Sequence, residues 1–120
     1  MLPALIILIL FPSSVGDRPK IKREMADVSG HVGSQATLKC VYDNGGLDSE
    51  VTWFKGTRQI SKSKKYSITQ SGKEATLVIK DLQPADASEY TFEISNILGR
   101  VSCEGKVMVT GWYSELSRDV

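Results

Sequence analysis

Residues 81–99 read DLQPADASEYTFEISNILG, and the fold follows from how this stretch is read. Tyr90, Phe92 and Ile94 alternate with Thr91, Glu93 and Ser95. That spacing puts three large apolar side chains on one face of a strand and polar ones on the other. Pro84 fixes its own φ and has no N–H for a ladder, so any strand before it stops and the chain bends. A tyrosine just after such a bend can bury its ring and return its hydroxyl to a nearby backbone group. The stretch is therefore a turn, a half-buried strand and a second turn.

Further strands lie on either side. Ala36, Leu38, Cys40 and Tyr42 alternate with Thr37, Lys39 and Val41, which places Cys40 inward, and Asp43-Asn44-Gly45-Gly46 turns the chain. Residues 51–55 (VTWFK) put Val51 and Trp53 on the core side and Phe54 on the outer face. Residues 66–69 are a short strand with Ile68 inward; Ser71-Gly72-Lys73 turns into Ala75, Leu77 and Ile79, with Leu82 closing the run. Residues 101–110 form the last strand, with Val107 and Val109 inward. Residues 17–25, where Lys20, Lys22 and Arg23 surround Pro19 and Ile21, read as an edge strand that lysine and proline protect from other chains. Residues 29–34 read as a turn holding Gly30, Gly33 and the only histidine, His31. Seven to eight short strands, regular turns and no helical periodicity make an all-β sandwich.

In this frame the run Asp86-Ala87-Ser88-Glu89-Tyr90-Thr91-Phe92 resembles the D-x-G-x-Y-x-C motif of immunoglobulin-like domains, with Ser88 for the glycine and Phe92 for the cysteine. Asn96 and Gly99 match the N-x-x-G turn of the I-set subclass, and Cys40 and Trp53 stand at that family's interval. The wording TLKC…VTWFKG…KKYSI…ATLVIKDLQPADASEYTF…SNILGRVSC is most similar to the I-set domains of giant muscle proteins such as titin, twitchin, obscurin and myosin-binding protein C. The resemblance covers about residues 19–110. It implies an immunoglobulin-like Greek-key sandwich with sheets A-B-E-D and C-F-G plus a vestigial C′. It also implies a tyrosine corner at Tyr90 and a structural core around Cys40, Trp53, Leu77, Tyr90 and Phe92.

Phe92 in the cysteine position removes the usual inter-sheet disulfide. The remaining pair is Cys40 and Cys103. If the last two strands pair about the Asn96–Gly99 turn, Cys103 lies opposite Phe92, one strand of ~4.8 Å further from Cys40 than the family's cysteine. A bridge tolerates Cα separations up to ~7 Å, so Cys40–Cys103 would need a shifted strand. No disulfide is expected, and that pairing stands only as the alternative. Losing the bridge forgoes ~2–5 kcal/mol; burial of Phe92 returns ~1.5–3 kcal/mol.

The chain is sized for one domain over residues 17–110, with 1–16 and 111–120 outside it. Residues 2–11 are apolar and residues 12–16 small, which resembles a secretory signal cut after Gly16, although no cation precedes the apolar run. The other readings are a chance apolar leader, or a fragment joined to an internal domain. The run is too short to span a bilayer, which takes ~20 residues. Residues 111–120 hold Trp112 and Tyr113 without a strand pattern and read as a tail or linker.

The formal net charge is +1, so nothing drives the chain globally toward nucleic acid or anionic membrane. Arg58, Lys62, Lys64 and Lys65 form a basic run with no acid between Glu50 and Glu74. It reads either as a footprint for an acidic partner or as a solvated connection, and balanced charge favours the connection. Without an aromatic platform it predicts no nucleic-acid binding. One histidine and two separated cysteines cannot build a zinc site, and no nucleophile has a base beside it, so no enzyme, metal or cofactor is expected. A protein partner is expected instead, with neighbouring immunoglobulin or fibronectin domains in a longer chain as another source of contacts. The candidate interface residues are Phe54, Thr91 and Glu93 on the outer sheet face, and Arg58, Lys62, Lys64 and Lys65. The leader points to a secreted or cell-surface module. Unpaired thiols, the muscle-type resemblance and the lack of an N-x-S/T sequon point to a cytoplasmic, sarcomeric spacer and docking domain.

Overall fold

The computed structural model describes residues 16–111. The apolar leader lies outside them except for Gly16, and the C-terminal tail lies outside them except for Gly111. The described residues form nine strands: β1 (Lys20–Arg23), β2 (Val28–His31), β3 (Ala36–Asp43), β4 (Glu50–Lys55), β5 (Arg58–Ile60), β6 (Tyr66–Ser71), β7 (Glu74–Ile79), β8 (Ser88–Asn96) and β9 (Gly99–Thr110). A 3-10 turn, Pro84–Asp86, precedes β8.

The strands make two sheets, a four-stranded one ordered β1-β3-β7-β6 and a five-stranded one ordered β2-β9-β8-β4-β5. This is an immunoglobulin-like sandwich. Apolar residues on alternate positions of β3, β7, β8 and β9 face each other across the two layers. Leu38, Cys40, Trp53, Leu77, Tyr90, Phe92 and Ile94 are all buried there. The Phe92 ring lies at the centre of an aromatic group, 5.4 Å from the Tyr42 ring and 5.2 Å from that of Trp53. Such tilted pairs add to the gain from area burial.

Two segments depart from the sequence reading. The edge strand expected over residues 17–25 is only Lys20–Arg23, and the turn expected over residues 29–34 begins with strand Val28–His31. The chain leaves the four-stranded sheet after β1, crosses over, and runs parallel to the end of β9, Val28 opposite Val107 and His31 opposite Thr110. Val-Ser-Gly-His carries no apolar alternation; its pairing is made by backbone groups, which residue type does not reveal. The Asp27 carboxylate anchors the crossing by accepting the Lys106 N–H at 2.9 Å.

The turn into β8 is built from its acids. Asp86 is buried, and its carboxylate accepts the Gln83 N–H at 2.8 Å and Lys65 Nζ at 2.6 Å. Tyr90 Oη donates to the Asp86 carbonyl at 2.8 Å, so the phenol closes the turn four residues behind it. Burial pushes this phenol well above the ordinary tyrosine range, which keeps it a donor at every physiological pH.

Candidate functional site

Strand register decides which outward side chains meet. On the five-stranded sheet, Phe54 of β4 stands opposite Thr91 of β8 and Gln59 of β5, and Thr91 stands opposite Glu104 of β9. A row Gln59–Phe54–Thr91–Glu104 thus crosses four strands. The next row is Thr52–Glu93–Ser102. Glu93 is steadied by Arg100, 3.7 Å away and largely exposed. A protonated Glu104 can hydrogen-bond the Glu89 carboxylate while a charged one is only repelled by it, and this holds the Glu104 carboxyl above the usual range. The patch has a half-buried aromatic ring at its centre and polar groups around it. Gln59 and Glu104 were missed by the sequence reading. Parity puts Glu104 outward beside inward Cys103, but only register shows that it flanks Thr91.

The basic candidates do not join this patch as a group. Arg58 lies on the edge strand β5, and Lys62 and Lys64 are exposed in the following connection. Lys65 is not a free surface cation. Its ammonium is held by the buried Asp86 carboxylate at 2.6 Å and by the Asp81 carbonyl at 2.8 Å. Expected as an interface residue, it serves the turn that delivers β8.

The separation expected between the two cysteines is not the one found. Phe92 does stand opposite Cys103, with no shift of the last strand, yet the Cys40 and Cys103 sulfurs touch at 3.1 Å as a buried pair of free thiols. The expected separation counted strand spacings as if β3 and β9 lay in one plane. They lie in facing, twisted sheets, and both side chains point into the gap between them. The hydrogen bond to Cys103 and burial together hold the Cys40 thiol far above the ordinary range, so at rest it is no nucleophile.

His31 sits on β2 with Nδ1 3.0 Å from Thr110 Oγ1. Among the described residues no three His, Cys, Asp or Glu side chains group as a metal site, and no helix is long and apolar enough to cross a membrane.

Comparison with known proteins fits this geometry. The family model described as immunoglobulin I-set domain matches residues 19–109. The chain belongs to the immunoglobulin I-set family. Among relatives of this I-set domain, human pro-neuregulin-2, membrane-bound isoform, is 31% identical over 102 residues, covering 83% of this chain and 12% of that protein. Chicken smooth-muscle myosin light chain kinase is 30% identical over 98 residues, 82% of this chain and 5% of the kinase. The chain thus spans a small part of the relatives it matches. Among solved structures, an I-band fragment from titin superposes with TM-score 0.74 at 29% identity, covering 78% of this chain and 32% of that one. A titin–obscurin-like 1 Ig complex gives TM-score 0.73 at 30% identity, covering 78% and 94%. The I-set domain is therefore similar to parts of pro-neuregulin-2, membrane-bound isoform, of smooth-muscle myosin light chain kinase and of titin.

Proposed function

We propose that this I-set domain is a non-catalytic protein-binding module, secreted or at the cell surface, that takes its partner on the outer face of the five-stranded sheet. The observation that carries the reading is the register that gathers Phe54, Thr91 and Glu93, with Gln59 and Glu104, into one patch. An aromatic anchor inside a polar rim is the arrangement from which protein interfaces draw affinity. A protein as the partner class is supported by the similar titin domain solved in complex with an obscurin-like Ig domain. The non-catalytic reading is supported by the burial of Cys40 and by the bond of His31 to Thr110, which keep thiol and imidazole on separate tasks. Secretion is supported by the apolar leader of residues 1–16 and by likeness to the membrane-bound neuregulin-2 isoform.

A second reading, a structural domain inside a muscle filament protein, is favoured by the likeness to titin. Expression in secretory cells separates the two. A mature protein starting at Asp17 in the medium supports the first reading, and an uncut chain retained in the cytosol supports the second. For the face itself, the tagged chain is used to probe an array of purified extracellular domains. Binding that is lost in Phe54→Ala and Glu93→Lys but kept in Lys62→Gln supports the patch. Binding indifferent to Phe54 and Glu93 removes it.

A further inference from the structure

The turn between β8 and β9 has unusual residues at its tip. Its two central positions are Ile97 and Leu98, where turns ordinarily take Gly, Asn, Asp or Pro. Ile97 is 88% exposed and Leu98 45%. The mount is stiff: the Leu98 N–H donates to Asn96 Oδ1 at 2.8 Å, and Asn96 Nδ2 donates to the carbonyls of Asp17 at 2.7 Å and Asn44 at 3.0 Å. Large aliphatic side chains on a rigid support lose little freedom on docking. Beside the tip lies a cleft of about 370 Å³ whose walls include Asp48, Glu50 and Ile97. Neither Asp48 nor Glu50 has an ion-pair partner among the described residues. The tip is an apolar knob with an acidic shoulder.

The same chain carries the complement. Where β1 crosses toward β2, a second cleft of about 340 Å³ is lined by Arg23, Glu24, Ala26, Val28, Thr37 and Lys39. Ala26, Val28 and the Thr37 methyl make its surface largely apolar. Arg23 and Lys39 are exposed at its rim without ion-pair partners among the described residues, and outnumber Glu24. This notch is apolar with a mainly basic rim, the inverse of the tip.

We propose that the chain binds a second copy of itself, the Ile97–Leu98 tip of one copy seated in the notch of the next, with Asp48 and Glu50 facing Arg23 and Lys39. Knob and notch are different surfaces, so the contact is heterologous. Each copy keeps one free knob and one free notch, and association runs on into chains unless the rotation closes a ring. A contact this small is weak and transient. The proposal rests on the protein-binding reading above but uses none of Phe54, Thr91 or Glu93, so the two fail separately.

The test is sedimentation of the full chain over a concentration series up to about millimolar, at low and high salt. The tip variant is Ile97→Ser with Leu98→Ser, and the notch variant is Arg23→Glu with Lys39→Glu. All four residues are exposed, and thermal melts check that both variants fold. The wild-type mass should rise with concentration beyond that of a dimer and fall back in high salt. Each variant alone should stay monomeric. An equimolar mixture should form one-to-one dimers and nothing larger, since only one good knob and one good notch remain per pair. A wild type that is monomeric throughout overturns the proposal. So do variants that associate as the wild type does, which is how self-association through the apolar leader would look, and so does a mixture that stays monomeric.

Discussion

Mild oxidation should close Cys40 and Cys103 into a disulfide and raise the stability of the fold. The two sulfurs already touch at 3.1 Å, so a bond of ~2.05 Å asks for a side-chain shift of about 1 Å and no change of register. Two thiols lose two protons and two electrons, and oxidised glutathione takes the electrons through a mixed disulfide. Both cysteines are buried, so the disulfide reagent reaches them slowly in the native fold and faster in mild denaturant, where the core opens. The residues lie 63 positions apart, and closing a loop of that length removes about 4 kcal/mol of unfolded-state entropy at 25 °C. Native strain subtracts from this, so a gain of about 2–4 kcal/mol is expected. At an m-value near 1–1.5 kcal/mol/M, the urea midpoint should rise by roughly 1–4 M. Paired melts with and without reductant read the shift, and alkylation in urea counts thiols: none after oxidation, two after reduction. Cys103→Ala should abolish the difference. An oxidised sample that still shows two alkylatable thiols, or melts no later than the reduced one, would refute the reasoning.

Trp53→Ala removes a fully buried ring packed on Phe92 and should cost about 3–5 kcal/mol in urea melts; a loss below about 1 kcal/mol would place the ring outside the core. Within the basic run the effects should split. Lys65→Met strands the buried Asp86 and should cost on the order of 2 kcal/mol, less than the ~3–5 kcal/mol of a wholly buried pair because Lys65 is about a third exposed. Lys62→Gln and Lys64→Gln should each stay within about ±0.5 kcal/mol, and equal effects at all three positions would contradict the Lys65–Asp86 pair. Glu104→Gln tests the repulsion on the outer face. A folded carboxyl held above its unfolded value lends stability at low pH, and loses it as pH rises through the folded value. The variant should therefore melt higher than the parent at pH 7 and alongside it near about pH 3.5, below the ordinary glutamate range. A variant that melts lower at pH 7 speaks against the repulsion.

Most of the sandwich is legible in the amino-acid sequence, because a strand with one buried face writes its burial into the chain with a period of two. β3, β4, β7 and β8 each carry that record, and Pro84 with the acids around it marks where β8 must begin. β2 carries no such record. Val28-Ser29-Gly30-His31 is held by parallel backbone bonds to β9, and backbone groups are the same whatever the side chain. The outer patch is half legible: parity names Phe54, Thr91 and Glu93, while their neighbours Gln59 and Glu104 depend on register between strands far apart in the chain. Parity also says only that a side chain points inward, not what it meets there. That Cys40 meets Cys103 follows from the stacking and twist of two sheets. That Lys65 is tied to Asp86, 21 residues away, follows from where the β5–β6 connection passes the turn before β8. Burial is a local pattern along each strand, so the order of residues is enough to name the buried faces. Which buried or charged groups become partners emerges only once the sheets stack, because those distances are set between strands and between sheets.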